Sequence, residues 1–368
     1  MARQVKIVGA GIAGLTAALA LAQRGHEVEM LERAERMAEV GAGLQISPNG
    51  EAVLAALGLR DGLEAISLSS RAVVLADGPS GRVLLRMPLG ERRYRLVHRA
   101  ALAKMLVTAA SDAGARIRLG CDVSMKGDGL VVNSAPEDAE FVLGADGLHS
   151  VVRPALNGPS APFFTGQVAW RAIVPGDAMP ESRVDMGPGR HLVCYPLTDG
   201  RVNLVGIEER ADWTAADWRQ QGDPDRFRAL FADFPDARAN LERIEACYLW
   251  GLFRVPVAQV WQRDRVAILG DAAHPTLPFL AQGANLALED AWTFAAAFDA
   301  HTLPQWQNAR RDRTTRAIEA ANANARNYHL SGPMRWAAHT VLRGLNAAAP
   351  GLMLKRLSWL YDHDVTQP

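Results

Sequence analysis

The chain has 368 residues, 49% of them hydrophobic and 22% charged, a globular composition that excludes intrinsic disorder and a disulfide-built mini-scaffold and suggests two domains or one large one. Lys+Arg and Asp+Glu balance at 40 each, which offers no basic excess for nucleic acid and no acidic interaction tail. The 3 cysteines, Cys121, Cys194 and Cys247, form no C-x-x-C and read as reduced thiols of a cytoplasmic protein, not as a metal site.

In chain order, residues 4–8 read as a short strand. Residues 12–24 are rich in Ala and Leu and read as a helix that stops at Gly25. Residues 27–31 form the next strand and lead to Glu32, completing a βαβ unit. The apolar stretch from Val5 to Ala22 is interrupted by Lys6, Gly9, Gly11 and Gly14, a pattern unlike a signal peptide or a membrane span. Residues 41–50, GAGLQISPNG, read as a loop whose Asn49 caps a following helix with Val53, Leu54 and Leu57. Strands are expected at 72–75, 83–87 and 94–97, a helix at 100–113, and strands at 117–123, 130–133 and 140–143.

The middle of the chain changes character. Residues 167–174, 191–197, 201–207 and 246–255 read as strands, and 214–220 and 224–231 as helices. This block is expected to be an antiparallel sheet with helices on one side, a second domain inserted into the first. A buried strand at 265–269 resumes the first domain near residue 260, and from Gly283 onward the pattern is helical.

Gly9-Ala10-Gly11-Ile12-Ala13-Gly14 follows a strand and opens a helix, as a dinucleotide fingerprint does. Gly9 permits the tight turn, Gly11 the approach of a pyrophosphate, and Gly14 close packing of helix on strand. The helix N-terminus offers free N–H groups to the phosphates. Glu32 stands where an acid binds ribose hydroxyls, and its charge disfavours a ribose 2′-phosphate. Arg33 is a candidate to stack on the adenine. NAD and FAD both remain open at this point.

Two distant motifs narrow the choice. FVLGADGLHS, from Phe141 to Ser150, ends a strand in Asp146-Gly147, and RVAILGDAAHP ends another in Gly270-Asp271. The second runs on to Pro278 and Gln282-Gly283-Ala284-Asn285. The order of these motifs resembles the single-component flavoprotein aromatic hydroxylases, relatives of p-hydroxybenzoate and salicylate hydroxylases. The resemblance covers essentially the whole chain, including VHRAAL from Val97, AWRAIVP from Ala169 and WLYDHDV from Trp359. It implies an α/β fold with a Rossmann-like FAD-binding domain (1–71, 97–165 and 259–300). It also implies an α+β substrate domain with an antiparallel sheet (72–96 and 166–258), and a C-terminal helical region (301–368). FAD is expected to be held tightly and without a covalent bond.

The resemblance further implies that Asp271 meets the ribityl hydroxyls and that the helix opened by Gln282, Gly283, Ala284 and Asn285 faces the pyrimidine edge of the flavin. A helix N-terminus favours the negative charge of reduced flavin. Pro278 lines the ring face, Arg99 reaches the flavin or its phosphates, Val123 meets the adenine, and Gly43 and Gln45 lie on a loop brought to the flavin. Asp146 is either a flavin residue or a structural partner of Arg153. There is no second G-x-G-x-x-G, so NADH or NADPH is expected to bind transiently.

On the strand of residues 191–197, His191 and Tyr195 share a face. Both are candidates to act on a phenol, His191 as the base that generates the phenolate. Only one of Trp170 and Arg171 faces the site, and Arg171 is a candidate for a substrate carboxylate. His274 is expected to be structural, satisfied by backbone. The expected activity is NAD(P)H- and O2-dependent hydroxylation of a small aromatic substrate, salicylate- or hydroxybenzoate-like, through a flavin C4a-hydroperoxide. An N-heteroaromatic or non-aromatic substrate, and a non-catalytic flavin-binding protein, are the alternatives. No metal, nucleic-acid partner or membrane span is expected, and the protein is expected to be a cytoplasmic monomer or homodimer.

Overall fold

The computed structural model describes residues 2–37, 42–213 and 220–367. Its first sheet has six strands in the order Gln262–Arg263, Val266–Ile268, Phe141–Gly144, Gln4–Val8, Glu27–Leu31 and Arg116–Arg118. All neighbours pair in parallel except the first two. Both faces of such a sheet are covered, which accounts for the nearly continuous burial of Val5, Ile7, Leu143 and Ile268. Helices Ile12–Ala22, Arg99–Asp112 and Gly283–Asp299 pack together beside it. The first helix ends two residues before the expected stop, and Gly25 takes a φ of +85° after it.

The second sheet has eight strands: Gln221–Gly222, Cys247–Arg254, Phe163–Pro175, Arg201–Glu209, Arg190–Leu197, Glu181–Gly187, Ala72–Asp77 and Val83–Pro88. Its neighbours are antiparallel except for Glu181–Gly187 beside Ala72–Asp77. One face buries Trp170 against Phe227, Phe231 and Phe234. Trp170 is therefore a core residue, and Arg171 takes the opposite face, in register with Val205 and Val193.

Three expectations need correction here. The strand expected at 117–123 is two short strands in different sheets, Arg116–Arg118 and Val123–Lys126, divided at Gly120 with φ +66°. The strand Glu181–Gly187 was not anticipated, because its buried positions include the polar Ser182 and Asp185. Asn49 is not the cap of its helix. Ser47 occupies that position and Pro48 the first helical turn, which frees the Asn49 side chain for distant partners. The helix expected at 214–220 falls on residues 214–219, outside the described residues.

The C-terminal part consists of helices Leu303–Tyr328, Gly332–Ala348, Leu352–Arg356 and Ser358–Tyr361. It is joined to the rest through a buried charge cluster. Glu289 and Asp290, adjacent on helix Gly283–Asp299, are both fully buried. Arg310 donates to Asp290 Oδ1 at 2.7 Å and Glu289 Oε2 at 2.5 Å. Arg313 holds both Glu289 oxygens at 2.7 Å. Asn49 adds a hydrogen bond to Glu289 at 2.6 Å. Burial alone would raise the Asp290 carboxyl, but His274 and Arg310 hold it at about 2.

Removing one partner from such a cluster leaves a buried charge uncompensated. Arg310→Leu should destabilise the fold by about 3–5 kcal/mol, read from a lowered denaturation midpoint. A midpoint equal to the parent's would remove the cluster from the stability account. The Asp290 carboxyl lies below its ordinary 3.8 in the folded chain. Its contribution is therefore complete above the ordinary value and is lost as pH falls from about 4 toward 2.

Candidate cofactor crevice and substrate cavity

The fingerprint turn is built as its glycines require. Gly9 has φ +100°, and a Cβ there would stand 2.6 Å from the Ala145 carbonyl oxygen. A Cβ on Gly14 would stand 2.0 Å from the Gly9 carbonyl oxygen, so helix and turn touch backbone to backbone. A Cβ on Gly11 would meet nothing within 4 Å, so this residue faces open space at the helix N-terminus. Glu32 accepts hydrogen bonds from the backbone N–H groups of Ala10 at 2.8 Å and Ala34 at 2.9 Å. Each oxygen keeps lone-pair capacity for a ribose hydroxyl. The Cys121 N–H donates to the Glu32 carbonyl oxygen, which brings Val123 alongside. Arg33 is exposed beside them.

The second motif docks on the first. A Cβ on Gly270 would lie 2.9 Å from the Cβ of Ala13, which explains Ala13 by packing. Asp271 follows in a short 3-10 turn. Asp271 and Arg99 are exposed by surface area, yet they are enclosed deeply enough for burial to shift both. The Asp271 carboxyl is raised by burial and drawn back by His274 and Arg99. The Arg99 guanidinium is lowered by burial and supported by Asp271. Side chains that line a narrow crevice behave in this way. Arg171 lies close to Arg99, is lowered chiefly by burial, and stands 5.3 Å from the Trp250 ring centre.

The segment 43–49 forms another wall. Gly43 N–H donates to Asn203 Oδ1 at 2.8 Å, and a Cβ there would lie 2.8 Å from Tyr195. Gly43 is thus dictated by contact with the second sheet. Gln282 bonds Ser47 Oγ at 2.8 Å and accepts from Asn49 at 3.0 Å. Asn285 accepts from Ser47 N–H at 3.0 Å and donates to the Gln45 carbonyl oxygen at 3.0 Å. Both side chains therefore pin this segment to the helix start. What the helix offers a ligand is backbone N–H near Gly283 and Ala284, the groups every helix start leaves without an intrahelical acceptor.

Asp146 and Arg153 do not pair. Asp146 Oδ2 accepts from the N–H groups of Val151 at 2.7 Å and Val152 at 3.3 Å. Arg153 instead donates to the carbonyl oxygens of Pro256, Ala272 and Ala273. It clamps the loop carrying Asp271, because three carbonyls converge on its fork. His274 is structural, but its partner is the Asp290 carboxylate and the Trp261 ring, not backbone. Asp146 Oδ1 and Arg171 Nε are buried with no hydrogen-bond partner among the described residues. These orphaned atoms, the open face at Gly11 and the Glu32 lone pairs fit an adenine dinucleotide of the flavin type.

Beyond the crevice lies a cavity of about 530 Å³ between the second sheet and the C-terminal helices. Gln45, His191, Val193 and Pro278 line it, mostly among apolar neighbours such as Phe279 and Leu280. Tyr94, not singled out from the sequence, also lines it and donates to Gln45 Oε1 at 2.7 Å. Tyr195 is not part of this lining. It is buried beneath Gly43, two residues further along the strand than Val193, and burial raises its hydroxyl. Arg171 is likewise absent from the lining. Arg356 lines the cavity and makes no ion pair among the described residues.

Glu32→Ala should weaken FAD binding by at least about 1.5 kcal/mol through loss of the ribose acceptor, measured by flavin fluorescence titration. Equal affinity would separate Glu32 from the cofactor. Gly11→Val should purify without flavin while keeping its fold by circular dichroism. A yellow Gly11→Val protein would show that its open face is not where phosphates lie.

Residues 2–320 match the family model described as FAD binding domain. The 3-amino-4-hydroxybenzoate 2-monooxygenase of Streptomyces cremeus is 35% identical over 358 residues, 90% of this chain and 89% of that one. The 3-hydroxybenzoate 6-hydroxylase of Polaromonas naphthalenivorans (strain CJ2) is 30% identical over 389 residues, 98% of this chain and 96% of that one. In fold, the chain matches a salicylate hydroxylase substrate complex with a TM-score of 0.82 at 20% identity, over 99% of this chain and 96% of the other. The chain belongs to the FAD binding domain family and, within it, to the FAD-dependent aromatic hydroxylases.

Proposed function

We propose that this enzyme hydroxylates a small phenolic carboxylate of the hydroxybenzoate class, with NADH or NADPH as reductant. The observation that carries the reading is His191, an imidazole inside an apolar cavity that also contains Pro278. Burial first, and the neighbouring His329 second, push the His191 pKa well below its ordinary 6.5. The ring is therefore neutral at physiological pH, the form that accepts a proton from a phenol.

The roles follow from this arrangement. When bound and reduced by NADH or NADPH, FAD would activate O2, which is the source of the oxygen atom delivered to the ring. His191 takes the phenolic proton, which makes the ring electron-rich. Phe279, Leu280 and Val193 enclose the ring and exclude water. Arg356, which makes no ion pair among the described residues, suits a carboxylate. Gln45, held by Tyr94, orients the substrate hydroxyl. Glu32, Arg99, Asp271 and the N–H groups near Gly283 hold FAD. On this reading, residues 1–71, 97–165 and 259–300 form the cofactor unit and 72–96 with 166–258 the substrate unit. Residues 301–368 close the cavity. The described residues contain no helix long and apolar enough to cross a membrane.

A panel of hydroxybenzoates, aminohydroxybenzoates and hydroxynicotinates should be scored by stimulated NAD(P)H oxidation and by product formed. Stimulation by a hydroxybenzoate, with product, is the expected result. Stimulation confined to the heteroaromatic acids would replace the substrate class. His191→Ala should slow hydroxylation by roughly 10²–10⁴-fold, with FAD binding kept and product per NAD(P)H lowered. Unchanged coupling with a lowered thermal midpoint would make His191 a packing residue.

A further inference from the structure

His191 does not stand alone. Its Nδ1 lies 2.7 Å from Nε2 of His329, and His329 Nδ1 lies 2.8 Å from Oε1 of Glu209. The three residues come from different elements: strand Arg190–Leu197, the C-cap of helix Leu303–Tyr328 and strand Arg201–Glu209. Backbone hydrogen bonds fix their relative places. Gly189 N–H donates to the His329 carbonyl oxygen, and Glu209 N–H donates to the Gly189 carbonyl oxygen. The row runs from inside to outside. His191 is 2% exposed, whereas the Glu209 side chain is 55% exposed.

We infer that His191, His329 and Glu209 form a relay that carries the substrate's phenolic proton from the cavity to the protein surface. The inference rests on the reading of His191 as the base. The chemistry of the end group sets the direction. An ionised carboxylate only accepts hydrogen bonds, so His329 Nδ1 carries a hydrogen and donates it to Glu209. A neutral imidazole then leaves Nε2 of His329 as an acceptor, and His191 must donate from Nδ1. The remaining nitrogen of His191, Nε2, is bare, and it is the one left for the cavity. Glu209 thereby sets His191 in the tautomer that a base requires.

The transfer balances. The substrate O–H breaks as N–H forms at His191 Nε2. The His191 Nδ1–H passes to His329 Nε2, the His329 Nδ1–H passes to Glu209, and Glu209 loses the proton to solvent. No imidazolium persists inside the protein. That matters because burial opposes charge on both rings, and among the described residues only Glu209 offsets it, at His329. Among the described residues, the other rings against His191 are Phe279 at 5.7 Å and Tyr328 at 5.2 Å, and its cross-strand neighbours are the apolar Met186 and Ile207. The Tyr328 hydroxyl is pushed up to about 12 by burial, so it stays neutral. A static base with so depressed a pKa would return its proton to the substrate. A base that passes the proton on does not have to hold it.

The tautomers are read first, in the ligand-free holoenzyme, by 15N NMR of labelled histidine. Both His191 and His329 should carry hydrogen on Nδ1 and none on Nε2. Hydrogen on His191 Nε2 would overturn the relay. Proton release is then followed with a pH indicator as oxidised holoenzyme meets 3-hydroxybenzoate, without turnover. Glu209→Gln keeps a hydrogen-bond partner at the surface but cannot take a proton, and His329→Gln breaks the middle link. Each should slow release by at least about tenfold, with less than a threefold change in Kd. If both variants match the parent while His191→Asn is slow, the base stands and the relay falls. If His191→Asn also matches the parent, both fall. Glu209→Gln alone decides should His329→Gln fail to fold, because its site is at the surface.

Discussion

Two adjacent carboxylates inside a helix are the constraint on which the architecture depends. Glu289 and Asp290 cannot be buried as charges unless partners reach them from outside their own helix. The partners arrive from every part of the site. Gly270 N–H and His274 come from the loop that carries Asp271. Asn49 comes from the segment that carries Gly43 and Gln45. Arg310 and Arg313 come from the following helix. Arg313 also donates to the carbonyl oxygens of Trp359 and Leu360, which ties in the C-terminal turns that close the cavity. One electrostatic requirement therefore gathers the cofactor crevice and the cavity wall around a single helix.

The site holds two kinds of space. On one side the crevice is polar and still demands partners. Arg99, Asp271, the unpaired oxygen of Asp146 and the unpaired Nε of Arg171 all belong to it. On the other side the cavity is mostly apolar, lined by Leu, Val, Met and Phe side chains with Arg92, Asn324, Asn327 and Arg356 among them. The crevice suits a ligand bearing phosphates and hydroxyls, held by charge and hydrogen bonds. The cavity suits a ring, held by shape and by loss of water. Gln45 and Pro278 line the cavity and belong to the segments 43–49 and 278–282 that lead to the helix start.

How much of this is legible in the sequence depends on how far each contact reaches. The fingerprint is local: Gly9, Gly14 and Glu32 are required by one strand, one turn and the next strand, so spacing alone identifies them. Asp271 and the helix after Gln282 are recognisable because their motifs follow in a set order. The side-chain partners of Gln282 and Asn285 are not legible, because Ser47, Asn49 and Gln45 lie more than two hundred residues away. Of the two readings of Asp146, the pairing with Arg153 fails because the nearest acid in sequence is not the group that the Arg153 fork reaches. Tyr195 was drawn toward the cavity by strand periodicity, which gives a face but not the position along it. The acids of the LED run at 288–290, set inside an apolar helical stripe, are the sequence signal of a buried charge cluster. His329 gave none, since it follows a long polar helix and its meaning lies 138 residues away at His191.

The remaining link is between dryness and protons. A cavity that protects a reactive oxygen donor must exclude water, and water is the usual acceptor of a phenolic proton. The same apolar walls depress the pKa of any imidazole placed there. A lone histidine in such a cavity is therefore a weak base with nowhere to discharge. Connecting it by fixed hydrogen bonds to an exposed carboxylate removes the conflict. In the relay proposed here the proton leaves without water entering, and charge changes only where solvent can stabilise it. The C-terminal helices serve both halves of this solution. They supply Tyr328, Leu354 and Tyr361 to the cavity wall, and at the cap of the longest of them they supply His329. On the proposed reading, enclosure of the ring and an exit for its proton are thus consequences of the same packing.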